Sequence, residues 1–188
     1  MTAAPARLHF TADDEANELI ARDPLALLIG FGLDQQVTVQ KAFTGPRELE
    51  RRLGKLDARS IARMDPGELE HVLAEKPALH RFPGTMARRT QELCAVIDDE
   101  YDGNAARIWE DVSDGRELER RLSELPGFGQ LKVRSMLAVL AKRYGLELDG
   151  LEEVVPQHPT LGDVDSPEAL ERYQAAKRAH KATLKAQG

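Results

Sequence analysis

Glycines at 127 and 129 flank Phe128 in the string LPGFGQLKVRSMLAVLAKRY, residues 125–144, and this spacing suits one kind of chemistry, the holding of an anion. A tight turn that feeds directly into a helix leaves the first helical amides without intrahelical partners and at the positive end of the dipole. The amides near Gly127, Gly129 and Gln130 are therefore expected to converge on one phosphate. One glycine should supply a positive φ, and the other should leave open the space where a Cβ would block the phosphate. Lys132 and Arg134 follow in the first turns of the helix and add cationic charge. Contacts of this kind read the backbone of a nucleic acid and not its bases. The plainer alternative is an αα-hairpin whose Pro-Gly turn only reverses the chain.

Other reactive residue types point to less. Cys94 is the one cysteine, which excludes an intramolecular disulfide and a cysteine-ligated iron–sulfur cluster. It shares a helical face with Met86, Thr90, Leu93 and Ile97 and reads as a packed thiol. His9, His71, His80, His158 and His180 have no metal-ligand spacing, so no transition-metal site is expected. Trp109, in ARIWEDV, reads as core. The net charge of −6 argues against non-specific coating of nucleic acid, whose affinity comes from phosphate neutralisation. It leaves room for a local basic site, and cations do cluster at Arg88 and Arg89, at Lys132 and Arg134, and at Lys142 and Arg143.

The elements that must position these residues are helices. Period-two runs of β-branched or aromatic residues are nearly absent, while helix punctuation recurs, so the chain reads as all-α. Thr11 with Asp14 resembles a capping box, and Asp23-Pro24 opens the most apolar helix, expected to run to about Phe43. Gly45-Pro46 is expected to start another helix that stops at Gly54. Asp57, Asp65-Pro66 and Gly84 or Thr85 open the next three, and Asp114 or Gly115 opens the first helix of the hairpin. Residues 146–165 look irregular before Ser166-Pro167 caps a last helix bearing Lys177, Arg178, Lys181 and Lys185. The heptamer RELERRL occurs at 47–53 and again at 116–122, which the few ways of writing an amphipathic helix from Arg, Glu and Leu explain more simply than a duplication.

A chain of 188 residues fits one domain. No apolar run approaches the roughly 20 residues that cross a bilayer, and MTAAPARLHF lacks the apolar stretch of a secretory signal. A cytoplasmic location is expected.

Three segments in order carry a family resemblance: LLIGFGLDQQVTV at 27–39, RFPGTMARRTQELCAVI at 81–97, and LPGFG before its helix. Together they are similar to the helix-hairpin-helix DNA glycosylase superfamily, which includes endonuclease III, adenine glycosylase and 3-methyladenine glycosylase II. The nearest likeness is to a small bacterial base-excision-repair branch, and it covers roughly residues 8–185.

The resemblance implies a single domain, 1–188, folded as two α-helical lobes with the hairpin at the mouth of the cleft between them. A six-helix lobe would span about 44–145, with the hairpin at 116–144, and residues 1–43 and 146–188 would form the other lobe. It further implies a monomer that binds duplex DNA, flips out a damaged nucleotide and hydrolyses its N-glycosidic bond. When bound, such a protein would sit on the bacterial nucleoid. Gln36, with Gln35 beside it, occupies the place of the residue that fills the gap left in the stack, although the pair reads equally as a polar break on a buried helix. The catalytic aspartate of the family falls about 20 positions after the last hairpin glycine, which is Asp149 here, in LELDGLEEV. Asp149-Gly150 is also a favourable turn dipeptide. Strand-cleaving members carry a lysine two positions after that glycine. Leu131 stands there, so a monofunctional enzyme is expected. No cofactor is implied beyond a monovalent cation on the backbone carbonyls around Leu125 to Phe128, and the alternative function is a non-catalytic module for damaged or distorted DNA.

Overall fold

The computed structural model describes residues 3–188; Met1 and Thr2, which open the stretch read for a signal sequence, lie outside the described residues. The chain is all-α, with eleven α-helices and no strands among those residues. The order is α1 (Asp14–Arg22), α2 (Pro24–Leu33), α3 (Val39–Leu53), α4 (Ala58–Arg63), α5 (Pro66–Ala74), α6 (Pro83–Tyr101), α7 (Arg107–Glu110), α8 (Gly115–Ser123), α9 (Gln130–Arg143), α10 (Leu151–Val154) and α11 (Pro167–Gln187).

Local capping chemistry explains most boundaries. Asp23, Asp57, Asp65, Asp114 and Ser166 each accept a hydrogen bond from an amide in the first turn of the helix they precede. Gly54 ends α3 in the left-handed region at φ +86°. Two starts differ from expectation. Asp13, not a Thr11–Asp14 pair, caps α1 through Ala16 N–H, because Thr11 is buried and bonded to Asn17. Phe82 precedes α6 with no side-chain cap, and the helix begins at Pro83, ahead of Gly84 and Thr85.

The larger correction concerns residues 24–54. The apolar helix ends at Leu33, not near Phe43, and the helix expected to begin at Gly45-Pro46 is the continuation of α3. Thr38 caps α3 by accepting from Lys41 N–H at 3.2 Å, which starts a new helix after a five-residue break, 34–38. Pro46 is carried inside that helix, and Gly45 lies so close to Leu33 that a Cβ there would stand 2.5 Å from Leu33 Cδ1. The boundary expected near residue 44 therefore falls within one helix.

Every helix contributes to one connected apolar core. Phe10 and Phe31 both meet the Phe43 ring edge-on, with centroids 5.0 and 5.1 Å away, and Phe31 reaches Phe128 at 6.4 Å. Helix α9 crosses the centre, with Met136 to Leu140 fully enclosed. Its last turn is tied to α1 by the Tyr144 hydroxyl at 3.1 Å from the Ile20 carbonyl and 2.9 Å from that of Ala21. Cys94 is buried and its thiol is pushed up to about 12 by desolvation, which makes it an inert packed group; Trp109 is core as well. No helix among the described residues is long and apolar enough to cross a membrane.

Candidate nucleic-acid interface

The turn between α8 and α9 is anchored from below. Leu125 and Phe128 are buried at 3% and 6% exposure, and Phe128 N–H donates to the Leu125 carbonyl at 3.1 Å. The two glycines take different tasks. Gly127 has φ +79°, where a side chain would be strained. Gly129 has an ordinary φ of −75° and ψ of 171°, but a Cβ added there would meet nothing within 4 Å. Gly129 is also the cap residue of α9, and no side chain caps that helix. The first amides of a 14-residue helix thus open onto free space, the local arrangement that attracts an anion.

Tertiary packing brings more to this point. A hollow of about 590 Å³ is lined by the turn, by Gln35, by Arg89 of α6 and by Lys132 of α9. The end of α2 and the loop that follows it form one wall and are held from three sides. Arg89 donates to the Gln35 side-chain oxygen, the Lys132 ammonium donates to the Gly32 carbonyl at 3.3 Å, and His80 Nε2 stands 3.0 Å from the Gln35 carbonyl. Phe82 N–H donates to His80 Nδ1 at 3.0 Å, so the neutral ring carries its proton on Nε2 and donates it to Gln35. Gln36, at the tip, is exposed and left-handed, with φ +56°.

The charges at this wall are poorly hydrated. Burial raises the carboxyl of half-buried Asp34, opposed by the charges of Lys177 and Lys132. Burial likewise lowers the Lys132 ammonium, opposed by Asp34. Lys132 lines the hollow, and Asp34, next to Gln35 of the lining, lies within reach of its charge. His80, 1% exposed, is pushed down by burial, opposed by its hydrogen bond to the Gln35 carbonyl. Its folded value lies below its unfolded one, so the unfolded chain binds more protons in that window. The stability contributed is present above about pH 6.5 and lost as pH falls through the lowered folded value. His80→Gln is therefore expected to flatten the decline in melting temperature between about pH 7 and 5. Thermal melts of both proteins across that range check this, and parallel curves would rule it out.

The structure brings Gly127, Phe128, Gly129, Gln130 and Lys132 to one hollow together with Gln35, while Gln36 does not line it. Arg134 is half-buried and does not line it. Asp149 does not line it either. It is exposed, and its carbonyl accepts from Gly115 N–H at 2.9 Å, at the end of α8 opposite the turn. Leu131 lines the hollow and is 79% exposed, an apolar group among polar neighbours. Sequence reasoning missed Arg89 in the lining, Asp34 next to Gln35, and His80 bonded behind Gln35. Asp34 could have been flagged as an acid within LDQQV, between an apolar helix and a capped one; His80 had no local signal.

A smaller hollow, about 310 Å³ between α6 and α8, is lined by charges that satisfy one another: Arg107 with Asp111 and Arg120 with Glu124, each at 2.8 Å. Among the described residues no three His, Cys, Asp or Glu side chains converge on a metal position. No family model matches the chain, and no curated protein matches it. The functional class accordingly rests on an all-α fold that presents an uncapped helix start in a basic-rimmed hollow.

Proposed function

We propose that this protein is a base-excision DNA-repair protein of the helix-hairpin-helix glycosylase type, which binds duplex DNA as a monomer and hydrolyses the N-glycosidic bond of a damaged base. The observation that carries this is the open start of α9 at Gly129, with Lys132, Arg89 and Gln35 around it. The amides grip a backbone phosphate, and the hollow beside them receives a nucleotide drawn out of the stack, where the bond to be cut becomes accessible. The loop carrying Gln35 and Gln36 and the hairpin belong, in this reading, to two lobes that meet at the cleft. Exposed Gln36 at the loop tip is the group that enters the duplex, its amide hydrogen-bonding the base left without a partner. Strand cleavage through a lysine is not part of the reaction, since Leu131 occupies the place an attacking amine would need. A monovalent cation, where one binds, would be held by the carbonyls from Leu125 to Phe128, of which Leu125 also accepts the Phe128 amide.

Departure of the base leaves positive charge on the sugar, which a preorganised carboxylate in a water-poor site stabilises. Neither Asp34 nor Asp149 lines the hollow itself, but Asp34, half-buried next to Gln35 of the lining and within reach of the Lys132 charge, meets that requirement better than exposed Asp149. Excision is to be measured on oligonucleotides carrying alkylated, oxidised or deaminated bases. Asp34→Asn is expected to lose at least about tenfold in rate with duplex affinity kept, while Asp149→Asn keeps its rate. The reverse pattern would return the role to Asp149. The exposure of Asp149 favours one second reading, a non-catalytic module for damaged or distorted DNA. Binding that prefers lesions with no excision of any base in the panel would establish that module instead.

A further inference from the structure

The C-terminal helix α11 is 21 residues long, yet only Ala169 and Leu170 in it are buried. It docks by its first turns and by a reciprocal pair of amide bonds between Gln174 and Gln40 of α3, at 3.0 and 2.7 Å. From Ala175 onward every residue is exposed, an overhang of about 20 Å. The composition of that overhang is lopsided. At 100° per residue, Lys177, Arg178, Lys181 and Lys185 share an arc of about 100° with the docking residues Leu170 and Gln174. The opposite arc holds Ala175, Ala176, Ala179, Ala182 and Ala186. With Ala169 and Tyr173 on the other side of Leu170, Lys177 and Lys181 continue the face that the helix turns toward the body, and Lys185 and Arg178 flank it on one edge. None of the four pairs with an acidic side chain among the described residues. At the base of the stripe the Lys177 ammonium stands 5.8 Å from the centre of the Tyr173 ring, and its charge is felt by Asp34, the neighbour of Gln35 in the lining of the hollow.

A mixed-charge solvated helix would spread its cations around the axis and pair them. Collecting them on and beside the inner face of an overhang, in a protein of net charge −6, has a cost in self-repulsion that an anionic partner relieves. We propose that the overhanging half of α11 is a second DNA-backbone contact, a basic arm that lies along the phosphates flanking the nucleotide held at the hollow. The stripe from Lys177 to Lys185 covers about 12 Å, or three to four steps of a duplex strand. This rests on the DNA-binding reading above and extends it to a surface on which no sequence motif was found.

The test uses the full-length protein and an undamaged duplex, with affinity measured by fluorescence anisotropy from about 50 to 200 mM salt. The compared variants are Lys177→Gln/Arg178→Gln/Lys181→Gln/Lys185→Gln and its charge-retaining counterpart, Lys177→Arg/Lys181→Arg/Lys185→Arg. The glutamine variant is expected to make the salt slope shallower by about three and to weaken binding about a hundredfold near 0.1 M salt. The arginine variant should keep the wild-type slope, and circular dichroism should show the same helix content in all three, since the side chains are exposed. An unchanged slope in the glutamine variant, with binding still lost in Gly129→Asp, would overturn the arm and leave the hairpin standing. A wild-type protein with no salt-dependent duplex binding would overturn both. Wild-type binding to phosphatidylserine–phosphatidylcholine vesicles that the glutamine variant loses, with duplex binding unaffected, would assign the stripe to a membrane surface and overturn the proposal.

Discussion

Gly129→Asp is expected to raise the stability of the protein and abolish most of its affinity for DNA. The backbone at this position is extended, with φ −75°, and a Cβ there meets nothing, so aspartate fits without strain. It would also supply the missing cap of α9. An aspartate in place of glycine at a helix cap contributes a few tenths of a kcal/mol, and its charge against the helix dipole adds roughly 0.3–1 kcal/mol. A rise in Tm of about 2 °C follows for a chain of this size. The same carboxylate occupies the amides that the phosphate needs and repels it at close range, a juxtaposition that costs several kcal/mol, or about a thousandfold in Kd. Thermal melting and duplex titration on one sample read both effects. Opposite signs in stability and binding separate a ligand site from a structural turn. Raised Tm with unchanged affinity would mean that DNA does not rest on the start of α9. Gly127→Ala is the less informative change, because at φ +79° it is strained by about 1–2 kcal/mol whatever the ligand does.

The second large effect belongs to the core beneath the site. Phe43→Ala removes the ring on which Phe10 and Phe31 both pack edge-on, at a cost of about 3–5 kcal/mol and a fall in Tm of roughly 10 °C. The loss should reach the interface, since Phe31 is the contact between that aromatic cluster and Phe128 in the turn. A close approach makes the prediction sharper. Gly30 lies under the Phe43 ring, and a Cβ there would stand 2.5 Å from Phe43 Cδ1. Gly30→Ala alone should therefore destabilise by overpacking, about 1–3 kcal/mol. In the Phe43→Ala background the same methyl enters vacated space, so the double variant should be more stable than the sum of the two losses. Denaturant unfolding of the four proteins measures this coupling; strict additivity would show that Gly30 and Phe43 do not share the space that the structure assigns them.

Sequence by itself determined the helix starts that depend on a cap. Asp23-Pro24, Asp57, Asp65-Pro66, Asp114 and Ser166-Pro167 were legible because a cap is satisfied within three residues, so its cause and its effect lie in the same short string. The hairpin turn was legible for the same reason, down to the need for one strained and one open glycine. Length of the apolar helix was not. Apolar residues resume at Val37, Val39, Ala42 and Phe43 after Asp34-Gln35-Gln36, and the break at residues 34–38 depends on a Thr38 cap and on Gln36 tolerating a left-handed backbone. Only the tertiary structure decided which groups surround the turn. Arg89 reaches Gln35 across 54 positions, and Lys132 reaches Gly32 across 100. Asp34 owes its environment to Lys132 and to Lys177, which approach it from separate helices. Asp149, by contrast, sits at the counted distance from Gly129, yet packing of the following turn against Gly115 left it exposed outside the hollow. Capping and turn geometry are short-range constraints written in neighbouring residues, whereas the dielectric around a charge is set by whatever the core packs beside it.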